Sequence, residues 1–350
     1  MPFSSILGQA RAIASLRSAL DRGQLHHAYL FGGPEGVGKE LTALTLAQAA
    51  NCETESGDAC GKCSACRRIA DRNHPDMTWV LPEAEQITRG WAGRADFSAT
   101  PSRDIRIAQI RALQERLSFR PLEARTRFIF ICGADAMNPQ AQNALLKTLE
   151  EPPPATVLIL IAAAPGQLLP TIRSRCLTLS FAPLPTELIE QKLVAQKKLD
   201  PALAHLCAAL SFGSLGAAFE LDVKALEKRR GRIERLAALD AGGVTDALRF
   251  AEELAEAKGE APSALALFET WYRDVALLAS LDADSNFEPG HHLLHADMRS
   301  LLDASAERLG PVEPLRRIDL CRGVRARLRF NASPRLQLEQ LFLRFTRSEA

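Results

Sequence analysis

The run Tyr29-Leu30-Phe31-Gly32-Gly33-Pro34-Glu35-Gly36-Val37-Gly38-Lys39-Glu40 joins a buried strand end to a glycine-rich turn, and the Ala/Leu-rich segment Leu41 to Ala50 continues it with helical spacing. Strand, glycine turn and helix in that order make a phosphate-binding loop. Glycines let successive backbone N–H groups wrap a phosphate at a helix N-terminus, and a lysine reaches the outer phosphate oxygens. Gly33, Gly36, Gly38 and Lys39 supply those parts. The next position should carry a Ser or Thr hydroxyl to ligate Mg2+. It carries Glu40 instead, which adds negative charge beside a polyanion. The sequence offers a cradle for ATP without its metal clamp.

Upstream, Ala10 to Ala19 reads as a helix with Ile13, Leu16 and Leu20 as its apolar positions, leading through Gly23 to His26-His27-Ala28. A helix ahead of the first strand suggests an ATPase of the AAA+ type. The histidine pair reads as a strand entrance, because no third metal ligand lies nearby. Downstream, Cys52, Cys60, Cys63 and Cys66 gather half of the chain's eight cysteines within fifteen residues. The last three form two overlapping Cys-x-x-Cys steps, the spacing of a tetrahedral zinc site closed by four thiolates. Four unrelated cysteines are the competing explanation. A zinc held this way is structural, since catalysis needs an open coordination position.

Farther along, Met77 to Leu81 reads as a short strand and Pro82 to Arg103 as a surface loop with no clean period. Asp104 to Leu117 places Ile105, Ile107, Ile110, Leu113 and Leu117 largely on one helical face. Arg127 to Cys132 is a continuous apolar strand, expected where helices cover both faces of a sheet. In a phosphate-loop ATPase that strand should end in an Asp-Glu pair that holds Mg2+ and activates water. Cys132-Gly133 stand there, and Asp135, three residues late, reads as a turn or capping residue.

Composition narrows the class. A chain of 350 residues exceeds the size at which one core keeps growing, so two or three domains are expected. A net charge of +1 excludes nucleic-acid binding by bulk electrostatics. The start Met1-Pro2-Phe3-Ser4-Ser5 lacks a signal peptide's basic and apolar regions, and the longest apolar run, Val157 to Ala164, is too short to span a bilayer. The expected location is cytoplasmic, with no membrane partner; cysteines there serve as metal ligands or small core residues.

The most specific stretch is Asn143-Ala144-Leu145-Leu146-Lys147-Thr148-Leu149-Glu150-Glu151-Pro152-Pro153, a helix stopped abruptly by prolines. The strand Thr156 to Ala162, the segment Ile172-Arg173-Ser174-Arg175-Cys176 and a last strand, Leu177 to Phe181, follow. With His27 to Phe31, the phosphate loop and the four cysteines, these residues resemble the clamp-loader ATPase subunits of bacterial DNA polymerase III. Within that family the chain is most similar to the delta-prime type, because its own nucleotide site is degenerate. The likeness is strong over the first domain and continues weakly to Asn331-Ala332-Ser333-Pro334-Arg335-Leu336-Gln337-Leu338-Glu339, which is similar to the family's last collar helix.

The resemblance implies an α/β architecture: residues 1–181 an AAA+ phosphate-loop domain with a parallel sheet and a zinc module at 52–66, residues 182–242 a small helical lid, residues 243–350 an all-α collar. It makes Arg175 an arginine finger that acts in trans on a neighbouring subunit's ATP; the competing reading is a solvated surface arginine. It implies a hetero-pentamer with gamma/tau-like motor and delta-like subunits, a sliding clamp and primed DNA. Active members carry a sensor arginine near Ala217, which is missing here. The chain therefore reads as a non-motor subunit of the polymerase III holoenzyme with no polymerase site. The alternatives are an ATP-hydrolysing motor subunit, with Glu40 or Asp135 ligating the metal, and a zinc-dependent nucleic-acid-binding protein.

In the remaining third, Trp271 and Tyr272 read as helix core, and Phe287 to His295, with three histidines, as a polar inter-helix loop. From Arg308 onward ten arginines face four acids, which fits either solvated helix faces or an interface.

Overall fold

Apolar strands that alternate aromatic with aliphatic side chains can cover two cores at once, and the N-terminal unit is built that way. A computed structural model describes residues 2–54, 57–239, 242–256, 259–281, 293–328 and 332–346. These residues divide into two units, Met1–Phe219 and Glu220–Ala350.

The first unit holds β1 (Ala28–Gly32), β2 (Met77–Val80), β3 (Arg127–Cys132), β4 (Thr156–Ala162) and β5 (Leu177–Ser180). They form one parallel sheet in the order β2-β3-β4-β1-β5. Parallel neighbours require crossovers, and helices supply them. Along β1, β3 and β4 every residue is buried. Tyr29, Phe31, Phe128, Phe130 and Ile159 point to one face, and Ala28, Leu30, Ile129, Ile131 and Leu158 to the other. The strands expected at 127–132 and 156–162 appear with those bounds.

The helices of this unit are α1 (Ala10–Asp21), α2 (Lys39–Ala50), α3 (Ser64–Ala70), α4 (Glu83–Thr88), α5 (Ile107–Leu117), α6 (Pro139–Glu150), α7 (Pro170–Arg173), α8 (Thr186–Lys192), α9 (Pro201–Leu210) and α10 (Leu215–Glu220). The segment 82–103, expected as a loop, contains α4 and a 3-10 turn at Arg94–Asp96. Its ends are tied, since Ala84 N donates to Ser102 O and Ser102 N to Glu83 Oε2. A helix of six residues is too short to show a period. Asp76, at the entrance to β2, accepts from the N–H groups of Leu122, Glu123 and Ala124 at 2.8 Å each. Burial by itself would raise this carboxyl; the three donors hold it below its usual value.

The second unit is helical: α11 (Val223–Ala238), α12 (Val244–Glu256), α13 (Ala261–Ala279), α14 (Arg299–Leu309), α15 (Glu313–Leu328) and α16 (Pro334–Thr346). Phe250 stacks on Phe342 at 5.0 Å, Phe268 packs edge-on beside them, and Trp271 and Tyr272 are buried, as their helical setting required. α11 shares this core through Ile233 and Leu236. Among the described C-terminal arginines, Arg317 is buried under the Phe345 ring and bonded to Glu313, Arg325 pairs with Glu269, and Arg335 with Glu252 and Glu339.

His295 departs from the expected polar loop, being fully buried against Trp271. The rest of the histidine cluster, at 291 and 292, and Asn331 lie outside the described residues. No helix among the described residues is long and apolar enough to cross a membrane.

Candidate functional site

Gly38 makes the phosphate loop possible. Its φ of +98° turns the backbone so that α2 can begin at Lys39, a conformation that L side chains rarely adopt. At the loop's tip, Gly36 (φ +70°) accepts a 3.1 Å hydrogen bond from Gly216 N at the start of α10, and a Cβ on Gly36 would lie 2.2 Å from Ser214 Oγ. Gln9 Nε2 bridges the carbonyls of Val37 and Ala182 from the other side. Gly33, Gly36, Gly38 and Lys39 are thus assembled into one cradle. Lys39 Nζ donates to the carbonyls of Gly33 and Pro34, so the ammonium is satisfied by its own loop. Burial lowers its pKa, against the raising fields of Glu35 and Asp135.

The metal subsite is built differently from what Mg2+ requires. Glu40 accepts from Arg72 Nη2 at 2.6 Å, and from Arg89 Nη1 at 3.0 and 2.8 Å through its two oxygens. Arg72 lies over Trp79 and Trp91, with its guanidinium carbon 4.9 and 4.5 Å from the ring centroids, and Arg89 lies 5.2 Å from the Trp91 centroid. Trp79 stacks on Phe130 of β3 at 4.2 Å, which anchors the cluster on the sheet. Cys132, at the end of β3, is buried, and burial followed by the nearby Glu40 carboxylate pushes its thiol up. Asp135 does not face a metal through both oxygens: its Oδ2 accepts from Ala164 N at 2.8 Å, a tie between two loops rather than a helix cap. These residues do not fit Mg2+, and no catalytic step can be routed through it.

The four cysteines converge. Cys52 follows α2, Cys63 caps α3 and Cys66 lies within α3, and with Cys60 their sulfurs all lie within 4.8 Å of one another. Tetrahedral thiolates about 2.3 Å from zinc stand about 3.8 Å apart; Cys60 and Cys66 Sγ are 3.9 Å apart. Backbone N–H groups of Lys62 and Cys63 donate to Cys60 Sγ, and that of Cys66 donates to Cys63 Sγ. The Thr54 hydroxyl, then these N–H groups, bring the Cys60 thiol down to about 6, and burial pushes Cys66 up. The cluster can hold one metal ion and fits a closed four-thiolate zinc.

Arg175 lies between α7 and β5, away from the loop's own cradle in sequence. Its Nη2 pairs with Glu150 Oε1 at 2.7 Å and its Nη1 donates to Thr171 O at 3.0 Å, with 36% of the side chain exposed. Cys176 beside it is buried, with its thiol pushed up to about 12, and packs as a core residue. At Ala217 the backbone N–H donates to Ser214 Oγ, and the methyl side chain offers no cation to a phosphate. Sequence reasoning missed Arg72 and Arg89. The available signal was Glu40 itself, an uncompensated acid beside a phosphate cradle.

Comparison with known proteins shows the family to which the chain belongs. Residues 8–185 match the family described as DNA polymerase III, delta subunit. The delta-prime subunit of DNA polymerase III from Bacillus subtilis is 38% identical over 203 residues, 58% of this chain and 56% of that protein. The delta-prime subunit from Pseudomonas aeruginosa is 32% identical over 301 residues, 84% of this chain and 83% of that protein. The tau subunit from Escherichia coli is 31% identical over 272 residues, 75% of this chain and 39% of that protein. The chain therefore spans little more than half of the Bacillus relative and well under half of tau.

Proposed function

We propose a function on the premise that this chain belongs to the family of DNA polymerase III delta-type subunits and is most like delta-prime. It is a non-motor subunit of the clamp loader in DNA replication. It assembles with gamma/tau-like motor and delta-like subunits into a hetero-pentamer that places a sliding clamp on primed DNA in the cytoplasm. It does not turn over ATP itself, and it offers Arg175 to the ATP bound by a neighbour. Residues 1–181 serve as the AAA+ domain, 182–242 as lid and 243–350 as collar, with α11 at the end of the lid segment packed into the collar's core through Ile233 and Leu236.

One observation carries this reading. Where a hydrolysing site needs a water-activating carboxylate, β3 ends in the buried thiol of Cys132 followed by Gly133. A guanidinium supplied in trans stabilises charge on a transferring phosphoryl group, worth about 10³ to 10⁵ in rate in known cases. Zinc on Cys52, Cys60, Cys63 and Cys66 holds the module between α2 and α3 in shape. ATP, if bound at Gly33, Gly36, Gly38 and Lys39, is a ligand and not a substrate.

The test is steady-state ATP hydrolysis by the reconstituted loader with clamp and primed DNA, comparing wild type with Arg175→Ala and the purified chain alone. A silent chain and a sharp drop in the assembly's turnover support the reading. Hydrolysis by the chain alone, with Arg175→Ala neutral in the assembly, transfers the role to a motor subunit. Similarity to tau favours that second reading.

A further inference from the structure

The residue after the loop lysine is where a phosphate loop meets its metal. Here that residue is neither a hydroxyl nor an idle acid. Both oxygens of Glu40 are engaged, Oε1 by Arg72 and both by Arg89. Arg89 also reaches Glu85 Oε1 at 2.5 Å. An ordinary surface ion pair contributes little and moves freely. This one is fixed on several sides. Arg72 has a left-handed backbone (φ +56°) just beyond α3, and its guanidinium lies over both Trp79 and Trp91. Trp91 packs edge-on against Trp79 at 5.7 Å, and Trp79 stacks on Phe130 of the central sheet. The side chains of Glu40 and Arg89 are each 27% exposed, so solvent screens them only in part.

Arg72 and Arg89 balance Glu40 and Glu85 one for one, so the cluster keeps no net negative charge to draw in a dication. The two guanidiniums also consume the oxygens through which Glu40 would ligate it. We infer that Glu40, Arg72 and Arg89 form a permanent ionic plug in the metal subsite, so that this loop excludes Mg2+ and any nucleoside polyphosphate it accepts is taken free of divalent metal. The plug also accounts for an acid being tolerated beside a phosphate cradle, because its charge is already neutralised. Nothing in this inference depends on Arg175, so it can fail while the trans-acting role stands.

The experiment is calorimetric titration of the full-length chain with ATP, with added Mg2+ and in buffer free of added divalent ions. No chelator is used, so the cysteine cluster keeps its ion. Wild type is expected to give the same result in both buffers, within about twofold in affinity or equal absence of binding. Glu40→Ser removes the plug's acid and supplies the hydroxyl; it is expected to bind ATP about fivefold or more tightly with Mg2+ than without. Arg72→Gln/Arg89→Gln, which frees the Glu40 carboxylate, is the second variant should Glu40→Ser fail to fold, and it too should acquire a preference for Mg2+. Wild type favouring Mg2+ by fivefold or more would overturn the plug, and so would a folded Glu40→Ser that remains indifferent to the metal.

Discussion

Arg175 Nη2 sits 2.7 Å from Glu150 Oε1, so the arginine proposed to serve a neighbouring subunit is held against its own chain. The carboxylate comes from the last residue of α6 and the guanidinium from the turn after α7. Glu150 is half exposed and Arg175 more than a third exposed, the range in which an ion pair is worth roughly 0–1 kcal/mol.

Breaking that pair should therefore leave folding almost unchanged and release the arginine. Glu150→Gln is expected to shift the denaturation midpoint only slightly and to raise ATP turnover by the reconstituted assembly about two- to fivefold, the rate equivalent of up to about 1 kcal/mol. Turnover falling instead to the level of Arg175→Ala would mean that Glu150 aims the arginine rather than restraining it.

Much of the fold was legible because parallel strands buried on both faces leave uninterrupted apolar runs. β3 and β4 stood out as such runs, and the helix expected at Leu41 to Ala50 is α2, which begins two residues earlier, at Lys39. The cysteine cluster was legible from spacing alone, since α3 places Cys63 and Cys66 about one turn apart. What escaped was contact between residues far apart in sequence. Glu40 meets Arg89 across 49 positions, and no local period announces that meeting. His295 read as part of a polar loop because its company, Trp271, Thr270 and Arg229, comes from other helices. The short α4 escaped because six residues carry less than two turns of pattern.

The cysteine module gives a second prediction. Metal analysis of the purified chain should find one equivalent of zinc, and Cys63→Ser should lose most of it. Cys63 both contributes a sulfur and caps α3; serine keeps an N-cap oxygen while removing the thiolate, so the loss reports on the metal. A stability loss of only 2 kcal/mol would lower Tm by roughly 4–8 °C in a unit of this size. Stripping the metal from wild type should reproduce that shift, and adding zinc should reverse it. A wild-type chain that holds no metal and is indifferent to zinc would reduce the cluster to packing.

Acid should weaken the second unit through His295. Arg229 Nη2 lies 2.6 Å from His295 Nδ1 and has only protons to give, so Nδ1 accepts and Nε2 carries the proton that faces Thr270 Oγ1 at 3.0 Å. Burial first, then the Arg229 charge, brings the imidazole down to about 3. The unfolded chain takes up that proton at about 6.5 and the folded chain does not. Stability from the neutral ring is therefore complete above about 6.5 and declines as pH falls toward 3, by up to about 1.4 kcal/mol per pH unit. Asp274, raised by its own burial, works in the opposite direction near the carboxylate range, so the clean window lies above about pH 5. Urea unfolding followed by Trp271 fluorescence should show wild type losing about 2 kcal/mol more than His295→Gln between pH 7 and pH 5. Parallel losses in the two proteins would show that the ring is protonated in the folded chain and that its burial carries no acid sensitivity.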